Sequence, residues 1–241
     1  MSQIHFILQG KGGVGKTLVS AIFAQHRKSG GKKLLCLDTD PVNASFAGFK
    51  SLGVRPVRIM QGSTIDPRQF DELMEILLDA KDDVVVDTGA STFLPLASYL
   101  EETDAISVLM DAGKQVLLHI VVTGGQSKDD TLTGLNGIAE RLGGKAPIML
   151  WVNEYFGRFE SADGIPLEKT GVYEAHKEKI FSIVTIPERP AATFGKDISE
   201  MLTRKLTFEE AMVSKDFNTM AKQRIKITRD LLFQQLDGLP I

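Results

Sequence analysis

The chain has 241 residues, of which 43% are apolar and 24% are charged, and its formal net charge is −3. This composition predicts one globular domain over residues 1–241, and the charge lowers the expectation of direct binding to nucleic acid or to an anionic membrane. The single cysteine, Cys36, excludes an internal disulfide or a cysteine-ligated metal, and without a signal-like or membrane-spanning run the expected protein is cytoplasmic and has no transmembrane segment.

The first strand and helix predicted from the sequence enclose a glycine-rich loop. Residues 4–8 form an apolar run that predicts a buried strand, and residues 18–24 predict a helix. Between them, GKGGVGKT at residues 10–17 fits the phosphate-binding pattern G-x-x-x-x-G-K-[ST]. Glycines let backbone N–H groups turn towards phosphate oxygens, and the helix N-terminus adds its positive dipole end. The candidate nucleotide-binding residues here are Gly10, Lys11, Gly12, Gly13, Val14, Gly15, Lys16, Thr17 and Leu18.

Within this loop, Lys16 is expected to contact the β- and γ-phosphates, and the Thr17 hydroxyl to coordinate Mg²⁺. The same residues also match G-x-G-x-x-G, the dinucleotide-binding pattern, with Asp38 at the end of the next strand. The Lys16–Thr17 pair and a second acidic strand end at Asp87 favour the phosphate loop, because a dehydrogenase needs neither. A purely structural glycine turn is the remaining alternative.

A second candidate segment follows the strand predicted at residues 33–39. Asp38 and Asp40 stand one residue apart at its end, where one carboxylate is expected near the metal and the other is expected to orient an attacking water. The alternative is a solvated Asx turn before Pro41.

The remaining elements alternate between strands and helices, which predicts an α/β fold with a mostly parallel central sheet and helices on both faces. Ligands in such sheets bind at the carboxyl ends of the strands. Strands are predicted at residues 57–60, 84–87, 105–110, 117–123, 148–153 and 180–186, and helices at 67–80, 92–100 and 130–142.

Helical patterns dominate after Pro187, so residues 188–241 are expected to form a helical part packed on the sheet. In the final stretch, residues 217–236, Met220, Ile227 and Leu231 recur at helical spacing. Core packing is the favoured interpretation of this stripe, and a partner or membrane face is the alternative.

The lysine near the start of the loop, together with DTDP at residues 38–41 and DTGA at 87–90, resembles the deviant Walker A ATPases, the ParA/MinD family of the SIMIBI class of P-loop NTPases. Within that family the chain most resembles the TraL-type proteins of conjugative transfer regions. The segments that carry this closer resemblance are IHFILQG at 4–10, VVTGGQ at 121–126, WVN at 151–153 and TFGKD at 193–197.

This resemblance implies a dimer that encloses ATP, in which Lys11 reaches the phosphates of the other subunit. It implies that Asp40 orients water, that Asp38 supports the switch I loop and that Asp87 holds Mg²⁺ through water. Gly89 would let switch II respond to the γ-phosphate. The resemblance further implies that Asn153 recognises adenine and that Pro187 and Glu188 belong to the loop that closes over the base.

The chain departs from the usual family sequence in switch I, and its cysteine content excludes two branches of the family. Val42 and Asn43 stand where ParA proteins usually have a glutamine and a small residue, so the switch I contacts differ in detail. One cysteine cannot serve the iron–sulfur or zinc-binding branches. The capping interpretation of Asn153 remains an alternative to adenine recognition.

The expected function is therefore a Mg²⁺-dependent ATPase switch of plasmid conjugative transfer that binds ATP and ADP, turns over slowly and is stimulated by a protein of the conjugation or secretion machinery. The protein is expected in the cytoplasm. The alternative is peripheral association with the inner membrane through a partner protein. Three alternatives stay open: a partitioning ATPase that contacts DNA or a membrane-bound partner, a small-molecule kinase or synthetase, and a module that binds nucleotide without turnover.

Overall fold

A computed structural model describes residues 2–62, 64–159 and 164–239. Residues 154–166, a stretch of mixed pattern that follows the strand predicted at 148–153, lie partly outside the described residues. Seven parallel strands form the central sheet in the order β3-β2-β6-β1-β7-β8-β9, and β4 and β5 form a separate antiparallel pair. The strands are β1 (Gln3–Leu8), β2 (Leu34–Asp38), β3 (Arg55–Pro56), β4 (Met60–Gln61), β5 (Thr64–Ile65), β6 (Asp83–Asp87), β7 (Gln115–Thr123), β8 (Ile148–Asn153) and β9 (Ile180–Ile186).

Helices cover both faces of this sheet. They are α1 (Lys16–Ser29), α2 (Gln69–Asp79), α3 (Phe93–Glu102), α4 (Ala105–Asp111), α5 (Lys128–Arg141), α6 (Gly171–His176), α7 (Lys196–Thr203), α8 (Phe208–Val213) and α9 (Thr219–Asp237), and a π-helical turn (Ala191–Gly195) precedes α7. No helix in the described ranges is long and apolar enough to cross a membrane.

Two hydrophobic cores lie on opposite faces of the sheet, which confirms the predicted three-layer α/β fold. Alternate residues of β1 enter different cores: Ile4 and Phe6 pack with residues of α2 to α5, while Ile7 packs with residues of α1 and of α7 to α9. Because strands covered on both faces need mostly apolar residues, the interiors of β1, β6 and β8 are apolar apart from the buried His5 of β1, and their sequences predicted them well.

The strand register brings the acidic strand ends together. Asp38 of β2 lies opposite Asp87 of β6, and Ile7 of β1 is also paired with Asp87. On the other side of β1, Thr123 of β7 lies opposite Asn153 of β8. The carboxyl ends of these strands therefore form one edge of the sheet, directly below the glycine-rich loop.

Two strand predictions are wrong. Residues 105–110 belong to helix α4, in which Ala105, Ile106 and Leu109 are buried at helical spacing while Met110 is 51% exposed. The β-branched residues of this short run made it look like a strand. The strand predicted at residues 57–60 is also absent. The chain pairs with β2 only over the two residues of β3, then leaves the parallel sheet and forms the short antiparallel pair of β4 and β5.

The C-terminal helices α7 to α9 pack on the α1 side of the sheet, and the predicted stripe of α9 is not the buried one. Met220 is 60% exposed and Ile227 is 39% exposed. The buried residues of α9 are instead Ala221, Ile225, Thr228, Leu232 and Leu236. This set has the same helical period as the predicted stripe but lies on a neighbouring face of the helix. Only packing against the sheet decides which of the two stripes faces inwards.

A chain of buried polar side chains crosses the core beneath α1. The Trp151 indole donates to His119 Nδ1 at 3.0 Å, and His119 Nε2 lies 2.9 Å from His5 Nδ1. An indole N–H can only donate, so His119 carries its proton on Nε2 and His5 carries its proton on its own Nε2. Within the described part of the chain, that His5 atom has no hydrogen-bond partner.

Burial holds both histidines in the neutral state. It lowers the pKa of His119 to about 3 and lowers the pKa of His5 well below its ordinary value, and Arg27 adds to both effects. The native state therefore resists protonation at a pH where the unfolded chain, with a histidine pKa near ~6.5, takes up protons. The stability that these rings contribute is complete above that pKa and is lost as the pH falls below it.

We predict that the free energy of unfolding falls as the pH drops from roughly 6 to 4.5, by at most about 1.4 kcal/mol per pH unit for each of these two rings. His119→Gln keeps an acceptor for Trp151 and a donor for His5, and it should remove one ring's share of that slope. Urea unfolding at several pH values measures this. The control is His26→Gln, which changes a ring that contacts Asp237 near the surface, and an unchanged slope in His119→Gln would contradict the prediction.

Candidate functional site

The glycine-rich loop joins β1 to α1 at the carboxyl edge of the sheet. Gly13 and Gly15 have φ values of +75° and +100°, a region that other residues avoid. A Cβ on Gly15 would also lie 2.5 Å from Asn153 Nδ2. No side chain caps the N-terminus of α1, so its first N–H groups remain available to a ligand.

A cavity of about 560 Å³ opens at this N-terminus. Its wall combines the loop, the acidic segment after β2, the segment after β6 and the end of α7. The lining residues are Gly12, Gly13, Gly15, Lys16, Thr17, Leu18, Asp40, Val42, Asn43, Ser45, Phe49, Thr88, Ala90, Ser91, Leu202 and Lys205. Its volume suits a nucleotide, and its donors are backbone amides, hydroxyls and ammonium groups, which suit phosphate oxygens.

Lys16 is the buried cation of this cavity. Its ammonium donates to the Lys11 carbonyl at 2.9 Å, so the side chain lies back across its own loop. Burial lowers the pKa of Lys16, while the carboxylates of Asp87 and Asp40 act in the opposite direction. The arrangement places one buried ammonium beside the glycine-rich loop on the cavity wall, where it can contact phosphate oxygens.

Asp87 lies behind the Thr17 hydroxyl. Its carboxylate accepts from Thr17 Oγ1 at 2.8 Å and from Ser20 Oγ at 2.7 Å. Burial raises the pKa of Asp87 to about 7, although both hydroxyl contacts and the Lys16 charge oppose the shift. A hydroxyl on the cavity wall with a carboxylate behind it is an oxygen donor set that fits Mg²⁺.

These oxygen atoms form only part of a metal coordination shell. Among the described residues no three or more His, Cys, Asp or Glu side chains are grouped so that they could hold an ion. Mg²⁺ is commonly held by one or two protein oxygens together with waters and substrate phosphates. Thr17 and Asp87 therefore fit an ion that arrives with a nucleotide.

Asp38, the last residue of β2, and Asp40, two residues later, hold the loop that follows this strand. Asp38 accepts backbone N–H groups from Asp40 and Ala47, both at 2.9 Å. This contact supports the loop-holding role that the family resemblance implies, and a metal role for Asp38 stays a prediction. Asp40 itself accepts from the amides of Val42 and Asn43 at 2.9 Å, which is the Asx turn that was the alternative interpretation.

The same Asp40 side chain also lines the cavity, so its turn and its predicted site position coexist. A Cβ on Gly89 would lie 2.7 Å from Asp40 Cγ, which means that the segment after β6 allows this approach only because residue 89 is glycine. The two predicted switch segments are thus in direct contact beside the cavity.

Lys11 points away from its own cavity. Its ammonium forms an ion pair with Asp130 of α5 at 2.7 Å, with the two side chains 43% and 57% exposed. Lys11 and Gly10 line a neighbouring groove of about 470 Å³ between α3 and α5. The loop is tied to α5 a second time by Gln9, whose amide donates to the carbonyls of Val121 and Thr131.

The predicted base-binding residues lie on the β8 and β9 side of the loop. Asn153 donates to the Val14 carbonyl at 2.9 Å and accepts from the Tyr155 amide at 3.1 Å, so it caps the 3₁₀ turn after β8. Pro187 lines a small cavity of about 30 Å³ with Leu18. Glu188 forms an exposed ion pair with Arg158 at 3.2 Å. The capping role is present, and adenine recognition stays a prediction.

Several residues of this site were not predicted from the sequence. Ser20 is one turn after Thr17 on α1, so helical spacing could have indicated that both hydroxyls reach Asp87. Asp130 and Lys205 are far from the loop in sequence and lie in no recognisable motif. Only the fold brings them to it.

Comparisons with known proteins agree with this geometry. Residues 5–197 match the family model described as the CobQ/CobB/MinD/ParA nucleotide binding domain. The chain therefore belongs to this family of nucleotide-binding domains. Two curated proteins from Escherichia coli, each called Protein TraL, are 43% and 41% identical to it over 241 residues and cover 100% of both chains. The resemblances to the ParA/MinD family and to its TraL-type branch are confirmed.

Solved structures show the same fold at lower identity. MinD of Pyrococcus horikoshii complexed with Mg-ADP has a TM-score of 0.52 and 23% identity, with 100% of each chain covered. A putative plasmid partition protein of Borrelia burgdorferi bound to AMPPNP has a TM-score of 0.51 and 19% identity, covering 99% of this chain and 100% of that one. The MinC:MinD complex of Aquifex aeolicus has a TM-score of 0.55 and 18% identity, with 100% of this chain and 98% of that chain covered.

We predict that Asn153→Ala lowers the free energy of unfolding by about 1–3 kcal/mol without any nucleotide, because it removes two contacts from a fully buried amide and leaves the Val14 carbonyl unpaired. Urea denaturation of the nucleotide-free protein measures the change. Asn43→Ala is the control at an exposed asparagine and should change stability by less than about 0.5 kcal/mol. Equal stability of the Asn153 variant and the original protein would refute the capping role.

Proposed function

We propose that this protein is a Mg²⁺-dependent ATPase that works as a nucleotide-driven switch in plasmid conjugative transfer. The observation that carries the proposal is the arrangement of two lysines on one glycine loop, with Lys16 inside the cavity and Lys11 outside it. A site that only bound nucleotide would need the first lysine and not the second.

The hydrolytic step follows from groups around the cavity. Mg²⁺ would neutralise charge on the β- and γ-phosphates when it is bound with the nucleotide, and Thr17 and Asp87 would hold it. Lys16 and the amides of the loop bind and orient the polyphosphate. Asp40 lies on the cavity wall beside Gly89, and in this proposal its carboxylate orients the attacking water.

The position of Lys11 supports dimerisation around the nucleotide. Its side chain is turned out of its own cavity and is 43% exposed, so a second copy of the chain can approach it. In the proposed dimer each Lys11 leaves Asp130 and reaches the phosphates of the other subunit. A cation supplied in trans to a transferring phosphoryl group accelerates hydrolysis strongly.

Full-length similarity to proteins called TraL supports the proposed place in conjugative transfer. In this role turnover is slow until a protein of the transfer machinery stimulates it, and the change between dimer and monomer carries the signal. The nucleotides are ATP and ADP. The protein acts in the cytoplasm, and any membrane association is peripheral and occurs through the partner.

We predict that Lys11→Ala lowers ATP hydrolysis by about a thousandfold and abolishes the ATP-dependent dimer, while nucleotide binding by the monomer remains. Phosphate release, light scattering with a non-hydrolysable ATP analogue, and isothermal titration measure the three properties. Lys33→Ala, at an exposed site before β2, is the matched control. Normal turnover by the Lys11 variant would exclude the trans role. Phosphate transfer to a small molecule would instead indicate a kinase.

Lys16→Ala should weaken nucleotide binding by roughly a hundredfold or more, because the buried cation of the phosphate loop is lost. Isothermal titration with Mg²⁺-ADP measures the affinity, and circular dichroism checks that the variant is folded. Lys32→Ala, just beyond the other end of α1, should bind as the original protein does. A dissociation constant unchanged by Lys16→Ala would overturn the assignment of this loop as the phosphate site.

A further inference from the structure

Lys205 adopts an unusual backbone conformation at the end of α7. Its φ is +56°, and only one other non-glycine residue of the described ranges, Asp104, has a positive φ. The Lys205 amide donates to the Leu202 carbonyl and the Leu206 amide to the Met201 carbonyl, both at 3.0 Å. This is the Schellman pattern of helix ends, in which glycine usually occupies the left-handed position. A lysine there costs conformational energy that a glycine would avoid.

The Lys205 side chain lies against the loop that follows β2. A Cβ on Gly48 would lie 2.8 Å from Lys205 Cγ, so the aliphatic stem can lie there only because residue 48 is glycine. The ammonium is 5.7 Å from the centre of the Phe49 ring, within the range of a cation–π contact. Two neighbouring residues of one loop thus hold the lysine in place.

From this position Lys205 lines the same cavity as Lys16 and Thr17. Its neighbour Arg204 is paired with Glu200 and Asp216, each through one guanidinium nitrogen. Across the described ranges, by contrast, the Lys205 ammonium has neither a hydrogen-bond partner nor a carboxylate within ion-pair distance. It is a half-buried positive charge, on a wall of the nucleotide-sized cavity, without an anion to balance it.

We propose that Lys205 is a third cationic contact for the polyphosphate of the nucleotide, added by the C-terminal part of the chain to the two lysines of the loop. The inference rests on the proposed function, because it names a further binding residue of the same site. An anionic ligand supplies the charge that balances the ammonium, and this gain accounts for a lysine at a position that backbone conformation reserves for glycine. Through Phe49, the contact also joins the bound polyphosphate to the loop after β2.

Three variants test this role in the full-length protein by isothermal titration with Mg²⁺-ADP and with Mg²⁺-AMPPNP. Lys205→Met keeps the stem and removes the charge, and it should weaken binding about tenfold or more. Lys205→Arg should keep most of the affinity. Lys205→Gly relieves the backbone strain, so it should raise or preserve the melting temperature while weakening binding like the methionine variant. The affinity of Lys205→Met should also depend less steeply on KCl concentration.

The control is Lys196→Met at the exposed start of α7, outside the cavity, which should bind both nucleotides with the original affinity. If the unchanged protein binds nucleotide and Lys16→Ala loses it, yet the Met and Gly variants at 205 bind normally, the role of Lys205 is refuted and the proposed function stands. If the unchanged protein binds no nucleotide, both proposals fail together. Weaker binding by Lys205→Gly with a preserved melting temperature supports the contact and excludes a purely structural role.

Discussion

The site depends on the hydrogen bonds that the buried carboxylate of Asp87 accepts from helix α1. Asp87 ends the strand next to β1 and accepts hydroxyl hydrogen bonds from Thr17 and Ser20 on the first turns of α1. Because Asp87 is buried in a region of low dielectric, these hydrogen bonds are strong, and they fix the start of α1 relative to the sheet. The glycine loop is held between β1 and this helix, so its amides face the cavity because Asp87 holds the helix end in place.

Three of the contacts between segments around the cavity are so close that only glycine fits at the contact point. Gly89 admits Asp40, Gly48 admits the stem of Lys205, and a Cβ on Gly134 of α5 would lie 2.1 Å from the Gln9 side chain. Each glycine permits a side chain from one segment to touch the backbone of another. In the proposed switch, a ligand that draws one of these charged or polar groups inwards would also displace the segment attached to it. Such coupling is what a nucleotide-driven switch needs.

Much of the fold was predictable because a parallel sheet covered on both faces requires predominantly apolar strands. β1, β6 and β8 meet this requirement, and the loop between β1 and α1 has a motif whose residue types follow from phosphate chemistry. The prediction failed where a pattern was short or ambiguous. Residues 105–110 are apolar and partly β-branched, yet they form α4, and two similar stripes of α9 compete for the core. Local patterns cannot decide such cases, because the choice depends on the surface against which the element packs.

The sequence by itself determined the loop, its two lysines and the acidic strand ends, because these residues are close together in the chain or follow strands whose ends share one edge of a parallel sheet. Only the tertiary structure decided that Lys11 pairs with Asp130, that Asn153 caps a turn below the loop, and that Lys205 lines the cavity. The physical reason is distance along the chain. Short-range chemistry can be read from neighbouring residues, whereas a contact between residues more than a hundred positions apart exists only after the sheet and its covering helices have packed.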